Sequence, residues 1–168
     1  IVGLGAIGTE VARLAAHFDI HVTGLRRTPT GDEPCDTWTI DRLHELLPQL
    51  DDLVLTAPLT PDTRGIIGAP ELAMLPKGAH VVNVGRGELI DEPALVAALE
   101  SGHLGGAALD VFVVEPLPED SPLWGLPNVI VTPHSAGTTP LSAVRAAEIF
   151  ADNLLRFTEG RPLRNVGP

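Results

Sequence analysis

Short runs of aliphatic and β-branched residues alternate along this chain with segments in which apolar positions recur every three or four residues. Runs of the first kind occupy 1–2, 21–25, 53–56, 79–84, 106–111 and 129–132. They read as strands, and their nearly continuous apolar character suits strands covered on both faces. The other segments predict helices over 9–18, 40–50, 70–75, 91–100 and 139–158. In the first of these Val11, Ala12, Leu14, Ala15 and Phe18 are expected to face inward, and in the second Leu43, Leu46 and Leu47. Asp91 is placed to cap the fourth helix, with Pro93 in its first turn. Thr139 is placed to cap the last, with Pro140 at its first position and Gly160 as its stop. Strand followed by helix, repeated, predicts a parallel sheet wrapped by helices. The proline-rich stretch 112–128, which holds Trp124, is irregular, and loops of that length usually serve a site or a partner.

The first strand-to-helix junction carries Gly3-Leu4-Gly5-Ala6-Ile7-Gly8. In such a GxGxxG, the first glycine permits the tight turn, the second lets the backbone approach a pyrophosphate and the third allows close helix–strand packing. The helix start then offers its free amides and dipole to the anion. The fold class that follows is α/β, a Rossmann-type doubly wound parallel sheet flanked by helices, with a nicotinamide dinucleotide as cofactor. Arg26, 18 residues after Gly8, stands at the end of the second strand, where an NAD site usually has an acid to bind the ribose hydroxyls. Arginine cannot accept from a hydroxyl but pairs with a 2′-phosphate, so Arg26 and Arg27 favour NADP, with NAD as the alternative.

Open parallel sheets bind ligands at the C-terminal ends of their strands. The polar or special residues there are Thr56-Ala57-Pro58, Asn83-Val84-Gly85-Arg86-Gly87, Asp110, Glu115 and Pro133-His134. Reduction of a carbonyl needs a hydride donor, a proton donor and a positive anchor. Histidine is the side chain suited to proton exchange near neutrality. Glu115 can fix the tautomer of His134, and Arg86 can clamp a carboxylate.

Composition narrows the partners. The 168 residues fit one domain, and a net charge of −11 argues against nucleic acid. No apolar run is long enough to span a bilayer and no leader peptide is visible, so a cytoplasmic location is expected. Cys35 is the single cysteine and reads as an incidental loop thiol. His17, His21, His44, His80 and His103 lack ligand spacing, so no metal is expected. Only two residues precede Gly3, whereas a central strand usually has about five, which predicts a chain that has lost residues upstream.

Taken together, the glycine turn at 3–8, Ala57-Pro58-Leu59-Thr60, Val82 to Gly87, Gly106 to Phe112, Glu115-Pro116-Leu117-Pro118 and Thr132-Pro133-His134-Ser135-Ala136-Gly137 occur in the order seen in the D-isomer-specific 2-hydroxyacid dehydrogenase family, which the chain resembles over essentially its whole length. The resemblance implies that Arg86, Glu115 and His134, separated by 29 and 19 residues, are the catalytic Arg, Glu and His. It places Gly3, Gly5, Ala6, Ile7 and Gly8 at the pyrophosphate and Arg26 and Arg27 at the ribose. Ala57, Pro58, Val84, Gly85, Arg86, Asp110, His134, Ala136 and Gly137 fall around the nicotinamide half.

Gly24-Leu25-Arg26-Arg27 and Ser121-Pro122-Leu123-Trp124 are similar to the NADP-using glyoxylate and hydroxypyruvate reductase branch. The implied function is hydride transfer between NADPH (or NADH) and a small 2-oxo acid, by an enzyme that forms a homodimer. The family's substrate domain, built mainly from a segment preceding the first strand and usually joined by a returning C-terminal helix, is expected to be absent here, leaving 1–168 as the cofactor domain and inactive alone. The main rival is a dinucleotide-sensing corepressor-like binding protein of the same fold. Formate- or phosphonate-type dehydrogenases and a methyltransferase rank lower, the formate enzymes because they carry Gln where Glu115 stands, the methyltransferase because it would want an acid at Arg26.

Overall fold

The computed structural model describes residues 1–166. The chain forms two compact units, Ile1–His134 and Ser135–Pro168.

The first unit is built on parallel strands β1 (Thr23–Arg26), β2 (Asp36–Thr39), β3 (Asp52–Leu55), β4 (His80–Asn83), β5 (Gly106–Leu109) and β6 (Val129–Val131). They hydrogen-bond in the orders β1-β2 and β3-β4-β5-β6. Val2 closes the gap between the two sets, bridging in parallel to Leu25 on one side and Leu55 on the other. The Leu25 amide donates to the Ile1 carbonyl at 2.7 Å and the Thr56 amide to the Val2 carbonyl at 2.9 Å. The resulting order is β2-β1-Val2-β3-β4-β5-β6. The chain turns one way from Val2 and then the other, which makes the sheet doubly wound and puts its switch point beside the glycine turn.

The helices of this unit are α1 (Ala6–Ala16), α2 (Leu43–Leu46), α3 (Ala69–Met74) and α4 (Glu92–Glu100). Asp91 caps α4 as expected, its carboxylate accepting from the Ala94 amide at 3.1 Å. Leu43, Leu46 and Leu47 are buried as the pattern predicts, although α2 is a single α-turn flanked by 3-10 turns. The main core lies under β3–β5, where Leu53, Leu55, Val81, Leu72, Leu95 and Leu104 pack together.

Three local expectations are corrected. Strand β2 was not foreseen, because Asp36-Thr37-Trp38-Thr39 has no apolar alternation; it lies at the sheet edge and is held by backbone pairing to β1. Leu14 in α1, and Phe18 just beyond its end, are exposed rather than inward. The helix lies so close to the sheet that only Gly8 and Ala12 are fully buried beneath it, Val11 packs at the margin, and Leu14 is carried round to solvent. The last helix, α5, spans Ser142–Thr158 and starts after the proposed Thr139 cap. Ser142 takes over the turn: its hydroxyl accepts from the Thr139 amide at 2.9 Å and reaches the Gly137 carbonyl at 3.1 Å.

Within the second unit, Gly160 ends α5 at φ +66°, the left-handed conformation of a helix stop. Asn153 exchanges two hydrogen bonds with the backbone of Arg164, which pins the tail to the helix. Among the described residues no helix is long and apolar enough to cross a membrane.

Candidate active site

The glycine turn is a backbone construction. Gly3 sits at φ +100°, and a Cβ there would lie 2.6 Å from the Ala57 backbone. A Cβ at Gly8 would lie 2.1 Å from the Gly3 carbonyl oxygen. Gly5 differs: it is the N-cap of α1, and a Cβ there would meet no protein atom within 4 Å. Its missing side chain therefore leaves room on the outside, beside the amides of Ala6, Ile7 and Gly8, which a helix start leaves without intrahelical partners. That geometry fits a pyrophosphate held at a helix N-terminus. Thr56 was named only as a strand-end residue, yet its hydroxyl donates to the Gly3 carbonyl at 2.6 Å and braces the turn.

Ile7 is exposed, and Ala6 opens the helix. Arg26 ends β1, with its Nη1 donating to Glu33 at 2.8 Å; Arg27 follows it, exposed. Ala57 is buried against Gly3 while Pro58 turns outward.

The second cluster is made of side chains. After β5 the chain turns so that the Phe112 amide donates to Glu115 Oε1 at 3.0 Å. Glu115 Oε2 lies 2.7 Å from His134 Nδ1. His134 adopts φ +50°, and its amide donates to the Asp110 carbonyl at 2.8 Å. Asp110 is buried and accepts from the Thr132 hydroxyl, which ties the ends of β5 and β6 together beneath the histidine.

The His134 ring above all, then the Phe112 amide, holds the Glu115 carboxyl below its usual range, with the Arg86 charge adding to the effect. An ionised Glu115 needs a proton on Nδ1, which leaves Nε2 as the working nitrogen.

Arg86 is exposed at the end of β4, on a loop held from below by Asn83. The Asn83 side chain is buried, accepts from the Gly85 amide at 3.0 Å and donates to the Arg86 carbonyl at 2.9 Å. Asn83 was named only as a strand-end residue, an amide ending an otherwise apolar strand, and the loop it braces was not foreseen. Gly85 is buried, and a Cβ there would lie 2.9 Å from the Ala57 carbonyl; Val84 is half-buried beside it. Ala136 and Gly137 fall in the second unit, in the turn before α5. A cavity of about 590 Å³ adjoins the Glu115–His134 pair, with Phe112, Leu117, Trp124 and Val131 among its walls. Trp124 is fixed there by its indole N–H, which donates to the Pro118 carbonyl at 2.8 Å.

A glycine turn at the switch point and a Glu–His pair at neighbouring strand ends can be compared with known proteins. The profile of the D-isomer specific 2-hydroxyacid dehydrogenase NAD binding domain matches residues 1–136. The chain belongs to this family. It is 40% identical to glyoxylate/hydroxypyruvate reductase B of Citrobacter koseri, over 98% of this chain and 52% of that protein. It is 39% identical to D-3-phosphoglycerate dehydrogenase of Methanocaldococcus jannaschii, over 99% of this chain and 32% of that protein. The chain thus spans a third to a half of these curated relatives.

Among solved structures, a D-isomer specific 2-hydroxyacid dehydrogenase from Xanthobacter autotrophicus in complex with NADPH and MES superposes with a TM-score of 0.92 at 42% identity, covering 99% of this chain and 69% of that one. The NADPH-dependent glyoxylate/hydroxypyruvate reductase of Sinorhizobium meliloti, with NADP and sulfate, gives 0.90 at 37%, covering 99% and 54%. The doubly wound α/β fold and the dinucleotide-binding domain are those of the family.

Proposed function

We propose that the protein reduces a small 2-oxo acid such as glyoxylate or hydroxypyruvate, with NADPH preferred to NADH. The observation that carries this reading is the Glu115–His134 contact of 2.7 Å at the ends of a sheet whose glycine turn fits a pyrophosphate. Relatives named as glyoxylate reductases, and neighbours solved with NADP or NADPH, support the choice of substrate and cofactor. When bound, the nicotinamide supplies the hydride. The amides of Ala6, Ile7 and Gly8 hold the pyrophosphate, and Arg26 with Arg27 holds the 2′-phosphate. Arg86 pairs with the substrate carboxylate and aligns its carbonyl. His134 donates the Nε2 proton to the carbonyl oxygen, and Glu115 steadies the ring through its contact with Nδ1.

The test is steady-state kinetics of the intact protein with glyoxylate and hydroxypyruvate, using NADPH and NADH in turn. Turnover at ordinary enzymatic rates with a lower KM for NADPH is expected. Binding of the dinucleotide without turnover of any 2-oxo acid would replace this reading with a dinucleotide-sensing binding protein.

A further inference from the structure

Immediately after β1 the chain folds around one carboxylate. Glu33 Oε1 accepts from the Thr30 amide at 2.7 Å and from Arg26 Nη1 at 2.8 Å, and lies 2.9 Å from the Thr30 hydroxyl, whose one proton it shares with Asp32 Oδ1. Its Oε2 accepts from the Gly31 amide at 2.8 Å. Only 5% of the Glu33 side chain is exposed, against 32% of Arg26. The Thr30 amide above all, with the Thr30 hydroxyl and the Gly31 amide, holds the carboxyl down to about 2, so it is ionised at any working pH. Two amides, a hydroxyl and a guanidinium converging on one anion resemble a phosphate nest, but here the protein fills the nest itself.

The consequence lies in Arg26. A carboxylate this deeply held cannot reach a ribose hydroxyl, yet its charge sits against the guanidinium that the NADP reading assigns to the 2′-phosphate. Two effects oppose each other. The pair orients Arg26, which favours phosphate binding, while the fixed negative charge repels an incoming dianion a few ångströms away. The Thr30 hydroxyl accepts from the same Nη1 at 3.4 Å, so removing the Glu33 charge leaves Arg26 a second partner to orient it.

We propose that Glu33 is a positioning residue that acts through Arg26 as a built-in competitor of the 2′-phosphate, narrowing the preference for NADPH over NADH. This rests on the reading of Arg26 as the 2′-phosphate anchor. Glu33→Gln removes the charge and keeps one acceptor oxygen for the Thr30 amide, leaving the Gly31 amide to solvent.

The experiment is a titration of NADPH and NADH, followed by nicotinamide fluorescence, on the intact protein and on Glu33→Gln, Arg26→Ala and the double variant. In Glu33→Gln, NADPH should bind roughly fivefold tighter and NADH unchanged, and the gain should vanish in the double variant. An unchanged or smaller NADPH/NADH ratio in Glu33→Gln, or weaker binding of both, overturns the proposal. A gain that persists without Arg26 overturns it too. The underlying NADP reading fails separately, if Arg26→Ala leaves the ratio where it was.

Discussion

The two ends of the candidate site are made of different materials. At the glycine turn the working groups are backbone amides, and what matters is the absence of side chains: a Cβ at Gly3 or Gly8 would sit within 2.6 Å of backbone atoms. At the other end the working groups are side chains, Glu115 and His134 in series, with the Phe112 backbone amide steadying the first. Packing follows the same division. The small cluster under the turn buries only Ile1, Leu4 and Ala12, whereas the core beneath β3–β5 is large and continuous. An anion site can be built where α1 lies flat on the sheet, while a proton relay needs strand ends anchored by a deep core. The first should break when atoms are added, and the second when they are removed.

The largest effect is expected for His134→Ala in the intact protein. Loss of a positioned acid should lower kcat about 10³-fold, while NADPH affinity stays near that of the parent; near-normal turnover would remove His134 from the mechanism. Glu115→Gln should cost about 10²-fold and carry a pH signature. The Glu115 carboxyl is held below its usual range, so its support for the ring is present at neutral pH and is lost only as pH falls through that lowered value. Without the carboxylate that acid-side loss should disappear, so the rate of Glu115→Gln should no longer fall as pH drops through the lowered Glu115 value. A fall in rate with no shift of the profile would mean that Glu115 only orients the loop.

At the opposite end, Gly8→Ala should weaken dinucleotide binding roughly tenfold or more, because the new methyl meets the Gly3 carbonyl oxygen and pushes α1 off the turn. Gly5→Ala is the contrast, since the protein leaves that space open. It should fold with an unchanged Tm and lose cofactor affinity alone. Equal thermal losses in the two variants would erase the distinction between a packing glycine and a ligand-facing one.

The same division explains what the sequence made legible. The glycine spacing, the strand runs and the Asp91 cap are local signals, each written within a few residues, and the strands formed near their runs, the 1–2 run as bridges at Val2 alone. Strand β2 was not legible because it exists by pairing with β1, and nothing in Asp36-Thr37-Trp38-Thr39 requires an edge. The facing of α1 was misread because apolar periodicity cannot register how near the sheet lies. Arg86, Glu115 and His134 could be named as strand-end residues, but their pairing depends on turns after three different strands. Thr56 and Asn83 were legible only as strand-end residues, because the backbone each braces is decided by how the turns fold, and Glu33 escaped because nothing in its loop marks the pairing with Arg26.

Asn83 is where the two modes meet, and it carries the smallest of these effects. Its side chain serves as a piece of backbone, pairing with the Gly85 amide and the Arg86 carbonyl inside the protein. Asn83→Ala should cost about 1–2 kcal/mol of stability, read as a lowered Tm. Because the loop it holds presents Arg86, the variant should also raise KM for the 2-oxo acid several-fold more than it lowers kcat. Asn83→Asp keeps the acceptor for Gly85 and loses the donor to Arg86, so it separates the two bonds. If Asp restores the KM of the parent, the Gly85 bond sets the loop; if it behaves as Ala does, the loop hangs on the Arg86 carbonyl.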